Sequence, residues 1–310
     1  MELPSQNGTG VDAGAATATG PRPDNQDRVA VAPGWAIVSD GVGGHAGGGR
    51  AAQLTVDTVI ATLEAAGSPS PEVLERAVAA ANEAVRAGRR ADPEVADMGA
   101  TLTVAVVAAM GPDESRWLIA SVGDSPAWVV RADAPGADLV GGVPPAGASV
   151  GGGPAGDGPD RNGGADHAPG GGAPDGAGPA GDGGASGPSE AVRLTEDHTI
   201  AAELMRSGAL SPEEAARHPG RHVIFRSIGA EDVVEPDITE VTLRPGDALV
   251  IVSDGVGDAV TPADIHEITM AAATADEAAQ RLVTAALDRG ATDNSTAAVV
   301  RHPGRPGGAG

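Results

Sequence analysis

The chain has no cysteine, no lysine and no tyrosine, and only one phenylalanine among its 310 residues. Without cysteine there is no disulfide, no thiolate nucleophile and no zinc site built on sulfur. Aromatic residues make up 1% of the chain, so any core has to be assembled from Val, Ala, Leu and Ile. All 20 basic residues are arginine. Together with the Ala, Gly and Pro enrichment, we read this as the mark of a GC-rich genome and not of function. No apolar run approaches the ~20 residues needed to span a bilayer. Residues 1–20 have neither the basic start nor the apolar core of a signal peptide, so a cytoplasmic protein is expected, and a monomer. The formal charge of −23 would repel nucleic-acid backbones and anionic membranes. Neither is an expected partner, and any phosphate has to be gripped locally, through bound cations and single arginines.

What the chain does have is a repeated pattern of apolar strands that end on carboxylates. Ala36-Ile37-Val38-Ser39 runs into Asp40-Gly41 and then a glycine-rich stretch to Gly48. A near copy, residues 248–253, runs into Asp254-Gly255, and residues 117–123 end on Asp124. Two further acids, Asp27 and Asp293, sit where strands should begin. In antiparallel sheets the end of one strand lies beside the start of its neighbour, so all five acids can gather at one edge. Crowded carboxylates disfavour one another's ionisation unless cations intervene. An oxygen-only donor set suits Mg²⁺ or Mn²⁺ and not zinc. Two such ions sharing a water would lower its pKa and prime it for hydrolysis of a phosphate ester.

Around these strands the periodicity predicts amphipathic helices over residues 49–65, 70–87, 195–210, 211–217, 261–270 and 274–289. Strands are predicted over 11–19, 28–32, 100–109, 116–122, 127–131, 191–194, 224–228, 238–243 and 295–301. Between 132 and 189 the chain is mostly Gly, Ala, Pro and Asp, with no periodicity. Such a segment cannot bury enough apolar surface to offset its ordering entropy, so it is expected to be a disordered insertion at the tip of the hairpin 127–131/191–194. The expected organisation is one domain over 11–301, with loose termini at 1–10 and 302–310.

In order, Arg22-Pro23-Asp24-Asn25-Gln26-Asp27, Asp40-Gly41 with Gly43-Gly44-His45-Ala46-Gly47-Gly48, Gly99-Ala100-Thr101, Gly123-Asp124-Ser125, Ser253-Asp254-Gly255-Val256-Gly257-Asp258 and Asp293-Asn294 resemble the metal-dependent type 2C serine/threonine protein phosphatases, in their bacterial branch. One Asp-Gly alone reads as a turn; the ordered series is specific. The resemblance implies an α+β fold, an αββα sandwich of two antiparallel sheets flanked by helix pairs. It implies that Asp40 bridges two Mn²⁺ or Mg²⁺ ions, that the Gly41 carbonyl, Asp254 and Asp293 complete their shells, and that Asp27 holds a metal-bound water. Asp124, with Asp254 and Asp258, would make a third, weaker ion site. Arg22 would bind the substrate phosphate, a task for which the guanidinium fork is geometrically suited, and His45 is the candidate general acid. Residues 199–221 correspond to the flap beside the active site that is linked to substrate choice. The implied partners are phosphorylated proteins, targets of bacterial Ser/Thr kinases. Three positions depart from the family pattern: Gln26 stands where an acid is common, Pro126 where Arg is usual, and Val42 where some eukaryotic relatives have a catalytic His. They motivate the rival reading, a catalytically weak phosphoprotein-binding or scaffolding module on the same fold.

Overall fold

The computed structural model of the chain describes residues 10–43, 47–132 and 191–302. In chain order, strands β1 (Asp12–Ala18), β2 (Arg28–Ala32), β3 (Trp35–Ser39) and β4 (Gly41–Val42) lead into helices α1 (Gly47–Ala66) and α2 (Pro71–Ala91). Strands β5 (Gly99–Ala100), β6 (Leu102–Met110), β7 (Ser115–Val122), β8 (Ala127–Val130) and β9 (Val192–Arg193) follow, then the short helices α3 (Ile200–Arg206) and α4 (Pro212–Arg217). Strands β10 (Asp237–Leu243) and β11 (Ala248–Val252) precede helices α5 (Asp254–Gly257), α6 (Pro262–Ala271) and α7 (Ala275–Asp288), and β12 (Ser295–Arg301) comes last.

One sheet has the strand order β1-β12-β11-β8-β9 and the other β10-β7-β6-β3-β2, with a small β4-β5 pair beside them. Every pairing within them is antiparallel. The residue pattern explains the layering. Successive strand side chains point to opposite faces, and here both faces are apolar. In β11, Leu249 and Ile251 enter the layer between the sheets, while Ala248, Val250 and Val252 face a helix layer with residues of α6 and α7. Strand β3 mirrors this: Ala36 and Val38 face the other sheet, and Ile37 packs with Val56, Val59, Leu74 and Val78 of α1 and α2. The result is helices, sheet, sheet, helices, the sandwich that the family resemblance implies.

Helix starts carry the caps expected of them. Ser70 accepts from the Val73 N–H ahead of a first-turn proline, and Ser211 and Thr261 make reciprocal capping boxes with Glu214 and Asp264. Two expectations fail locally. Residues 195–199 are not helical, and α3 starts only after its cap Thr199. The stretch 224–228 is not a strand but an irregular segment with single bridges at its ends, Thr199 to Ile224 and Ala100 to Ile228. Its middle residue Arg226 pairs with Asp237 instead. The disorder expected for 132–189 falls, apart from Ala132, outside the described residues. The strands on either side of it do pair, Trp128 with Arg193 and Val129 with Val192. Among the described residues no helix is long and apolar enough to cross a membrane.

Candidate active site

Asp40 leaves the end of β3 into a hydrogen-bonded seat. Its N–H donates to Thr101 Oγ1 at 2.9 Å and its carbonyl accepts from the Thr101 N–H at 2.8 Å. Thr101 Oγ1 in turn lies 2.7 Å from Ser125 Oγ, next to Asp124. One buried threonine therefore ties the Asp40 and Asp124 turns together. On the other sheet, Asp254 follows β11 at the start of α5, and Asp293 precedes β12. Asn294 clamps that side to the turn before β2: its Oδ1 accepts from the Gln26 N–H (2.8 Å) and its Nδ2 donates to the carbonyls of Thr19 (2.8 Å) and Asp24 (3.0 Å). Ser253 donates to Asp27 Oδ2 at 2.8 Å and accepts from the Thr296 N–H at 3.0 Å.

Two glycines allow this closeness. A Cβ on Gly255 would sit 2.0 Å from the Asn294 carbonyl oxygen, and one on Gly41 would sit 2.2 Å from the Gly48 carbonyl. Any side chain at either position would push apart the backbones that carry the acids.

The electrostatics follow from the crowding. Asp40 keeps part of its surface open to a cavity of about 540 Å³ that Arg22, Gly41, Asp124, Asp254 and Asp293 also line. Protein nevertheless surrounds Asp40 closely enough that burial is the first cause of its strongly raised pKa, with Asp27, Asp254, Asp124 and Asp293 adding like-charge repulsion. Burial and then Asp254 push Asp124 up to about 8, and burial and then Asp293 push Asp254 up to about 7. Burial also raises Asp27. The other four acids expected at this edge thus all lie within electrostatic reach of Asp40, although they come from sequence positions as distant as Asp27 and Asp293.

The donor set fits hard divalent ions. It is all oxygen, and one oxygen each of Asp27, Asp124 and Asp254 is buried with no hydrogen-bond partner. Acids left so poorly satisfied, with pKa values driven up, gain by meeting a cation. Among the described residues, however, no three acids or histidines close tightly enough on one point to form a ready-made cage. Arg22 Nη2 contacts Asp293 Oδ2 at 2.6 Å, so part of the rim's charge is met by the guanidinium. Asp258 lies farther out, 3.5 Å from His222 Nε2 and well exposed. His45 is outside the described residues. The departures have plain places: the Gln26 backbone is held by Asn294, and the Pro126 carbonyl accepts from the Val252 N–H at 3.0 Å.

The residue that the sequence reading missed is His198. It is fully buried, and it holds Gly123 from both sides. Its N–H donates to the Gly123 carbonyl and its Nδ1 accepts from the Gly123 N–H, both at 3.0 Å. That leaves the ring proton on Nε2, which lies 3.0 Å from Asp237 Oδ2, and burial lowers the His198 pKa. Its carbonyl accepts from the Phe225 N–H at 2.9 Å, so the same residue anchors the flap. Its neighbour Asp197 pairs with Arg193 and feels Asp258. The only available signal was an acid-rich turn, Glu196-Asp197-His198, just before a helix. His198→Ala leaves the Gly123 N–H unpaired, and it should cost about 1–3 kcal/mol of stability, read by urea unfolding. A loss below about 0.5 kcal/mol, the ordinary range of a surface substitution, would show that the bracket is not structural.

Comparison with known proteins agrees with this geometry. Two family models, each described as protein phosphatase 2C, match residues 21–139 and 226–295, between them more than half of the chain. A putative protein phosphatase 2C-type of Streptococcus pyogenes is 41% identical over 109 residues, 35% of this chain and 44% of that protein. The chain thus spans under half the length of the streptococcal relatives it matches. The serine/threonine phosphatase stp of Listeria innocua is 25% identical over 275 residues, 86% of this chain and 83% of that one. The crystal structure of the catalytic domain of the serine threonine protein phosphatase PstP, in complex with two manganese ions, superposes with a TM-score of 0.66 at 26% identity, covering 94% of this chain and 97% of that one. With sandwich, carboxylate rim and motif order in agreement, the chain belongs to the protein phosphatase 2C family.

Proposed function

We propose that the chain is a protein serine/threonine phosphatase dependent on Mn²⁺ or Mg²⁺. The observation that carries this reading is the rim of five buried or half-buried acids, three of them (Asp27, Asp124 and Asp254) with an orphaned oxygen, a site that costs stability unless divalent cations use it. Asp40, Asp254, Asp293 and the Gly41 carbonyl are the residues that would hold two ions, with Asp124, Asp254 and Asp258 available to a weaker third. When bound, such ions supply charge neutralisation and make a water acidic enough to act near neutral pH.

The chain's own groups do the rest. Arg22, at the cavity mouth, binds and orients the phosphate through its fork, which requires it to release Asp293. Asp27, fixed by Ser253, would accept a hydrogen bond from a metal-bound water and hold it in place. Proton delivery to the departing serine or threonine oxygen is assigned to His45 or to solvent. The names of the Listeria and PstP relatives support phosphoserine and phosphothreonine in proteins as substrates. The opposing partner is a bacterial Ser/Thr kinase, and the setting is cytoplasmic, with the protein acting as a monomer.

The test is phosphate release from a phosphothreonine peptide with Mn²⁺ and then with excess chelator. Turnover that appears with the ion and stops with chelator is expected. A flat response at micromolar enzyme would overturn the reading in favour of a phosphoprotein-binding scaffold.

A further inference from the structure

Next to the acid-lined cavity lies a larger groove of about 910 Å³, and Arg22, Asp254 and Asp293 line both. It is therefore continuous with the place where phosphate is bound in the reading above. One wall is the flap: Ala201, Ala202 and Met205 of α3, then Ala215 and Ala216 of α4. The other mixes glycine and alanine (Gly255, Gly257, Ala259, Gly290, Ala291) with charged residues, from α5 and from the turn between α7 and β12. The small side chains among them leave room for a polypeptide main chain.

Charge is where this groove becomes selective. Of its arginines, Arg22 is bonded to Asp293, and Arg289 is forked onto Asp264 at 2.6 and 2.7 Å. Of its acids away from the rim, Asp197 pairs with Arg193 and Asp258 lies against His222. Arg221 is different. It is exposed on the flap side of the groove, and among the described residues its guanidinium has no carboxylate or hydrogen-bond partner. Its backbone is not loose: the Arg221 N–H donates to the His218 carbonyl at 3.1 Å, Gly220 donates to His218 Nδ1 at 3.0 Å, and the Gly220 carbonyl accepts from Ala201 of α3. A held backbone thus presents an uncommitted cation to a groove that leads to the phosphate.

We propose that this groove seats the substrate polypeptide beside its phosphorylated residue, and that Arg221 reads an anionic group there, either a carboxylate side chain or a second phosphate. The proposal rests on the phosphatase reading and narrows its substrate class. On a chain of charge −23, an acidic peptide is repelled at long range, so a local unpaired cation is what can offset that repulsion at the groove. Charge complementarity of this sort sets specificity more than total affinity. An exposed pair is worth up to about a fivefold preference, and a phosphate gripped by the guanidinium fork is worth more.

The experiment uses the full chain with Mn²⁺ and three phosphothreonine peptides: one with neutral flanks, one with glutamate flanks and one carrying a second phosphothreonine. Expected is a preference in kcat/KM of about threefold to fivefold for the anionic peptides, carried by KM. It should disappear in Arg221→Gln and turn toward an arginine-flanked peptide in Arg221→Glu. Loss confined to the doubly phosphorylated peptide identifies phosphate as the anion read; loss for both identifies negative charge of either source. An unchanged preference in both variants, or none in the parent, overturns the proposal. Hydrolysis of a small chromogenic phosphate ester by the parent protein keeps the two readings apart. If the ester is cleaved and the preference is missing, only the groove assignment fails; if the ester is not cleaved, both fall.

Discussion

Asp40→Asn should lower metal-dependent hydrolysis of a phosphate ester by about 10³-fold, the scale of losing a principal group that organises transition-state charge, while making the metal-free fold more stable. The two effects have one cause. Asp40 is surrounded by protein and repelled by four other acids, so its ionised form is disfavoured until a cation arrives. A carboxamide keeps the shape and removes the charge that both the ions and the repulsion depend on. The pH dependence has a definite sign. These acids have folded pKa values above the ordinary 3.8, about 7 for Asp254 and about 8 for Asp124. Between those limits the folded chain holds protons that the unfolded chain has already released. In chelator, stability therefore falls as pH rises from about 4 to about 8. Saturating Mn²⁺ should flatten this slope, since an ion that binds only the folded form stabilises it by mass action. Asp40→Asn should unfold at a higher temperature than the parent in chelator at pH 8, and gain less from Mn²⁺. Turnover within tenfold of the parent would refute the role given to Asp40. A melting temperature in chelator that does not change between pH 5 and pH 8 would refute the electrostatic account.

How much of this was legible depends on where each signal lives. Strands β3, β11 and β12 were readable because their apolar residues run without interruption up to a polar terminus. That is what a strand buried on both faces must look like. The acids were readable only as a series: one Asp-Gly alone reads as a turn, but five acids at strand ends and strand starts, in that order, do not. Helix α5 was not readable: Asp254-Gly255-Val256-Gly257 looks like a turn, and it curls into a helix with Gly255 pressed against Asn294, a contact between residues far apart in the chain. The β4–β5 pair, Gly41 with Ala100 and Val42 with Gly99, is too short to carry a period. Residues 224–228 have strand-like composition, but Arg226 is drawn to Asp237, and the ladder is not made. The supports of the site were the least visible part. Thr101 and Ser125 stand inside recognisable motifs, but their role as supports, like the whole of His198, depends on partners on other elements, and no local pattern records a hydrogen bond to a residue 75 positions away.

Trp117→Ala should cost about 3–5 kcal/mol of unfolding free energy, the usual range for emptying a large aromatic site in a core. Trp117 is fully buried in β7, in the layer between the two sheets, with its indole N–H donating to Ser115 Oγ at 2.9 Å. Its companions there include Ala36, Val38, Ala105, Val129 and Ala298, small or β-branched side chains with little reach. Ile119, Leu243, Leu249 and Ile251 share this layer and can close only part of the vacated volume, and Ser115 Oγ would lose its donor as well. The consequence reaches the site, because this layer spaces the sheets that bring their acids together. Asp40 rides on β3 of one sheet, while Asp254 and Asp293 flank β11 and β12 of the other. If the layer sags, ligands from opposite sheets lose their mutual distance before either sheet loses its own ladder. The variant should therefore show a smaller Mn²⁺-induced rise in melting temperature than the parent, in addition to its lower stability in chelator. Trp117→Leu, which refills part of the volume, should recover part of both. A loss below about 1 kcal/mol in urea unfolding, well under the expected range for such a site, would mean that the sheets are held apart by something other than this layer. An undiminished Mn²⁺ response in a clearly destabilised Trp117→Ala would mean that the rim keeps its geometry without it.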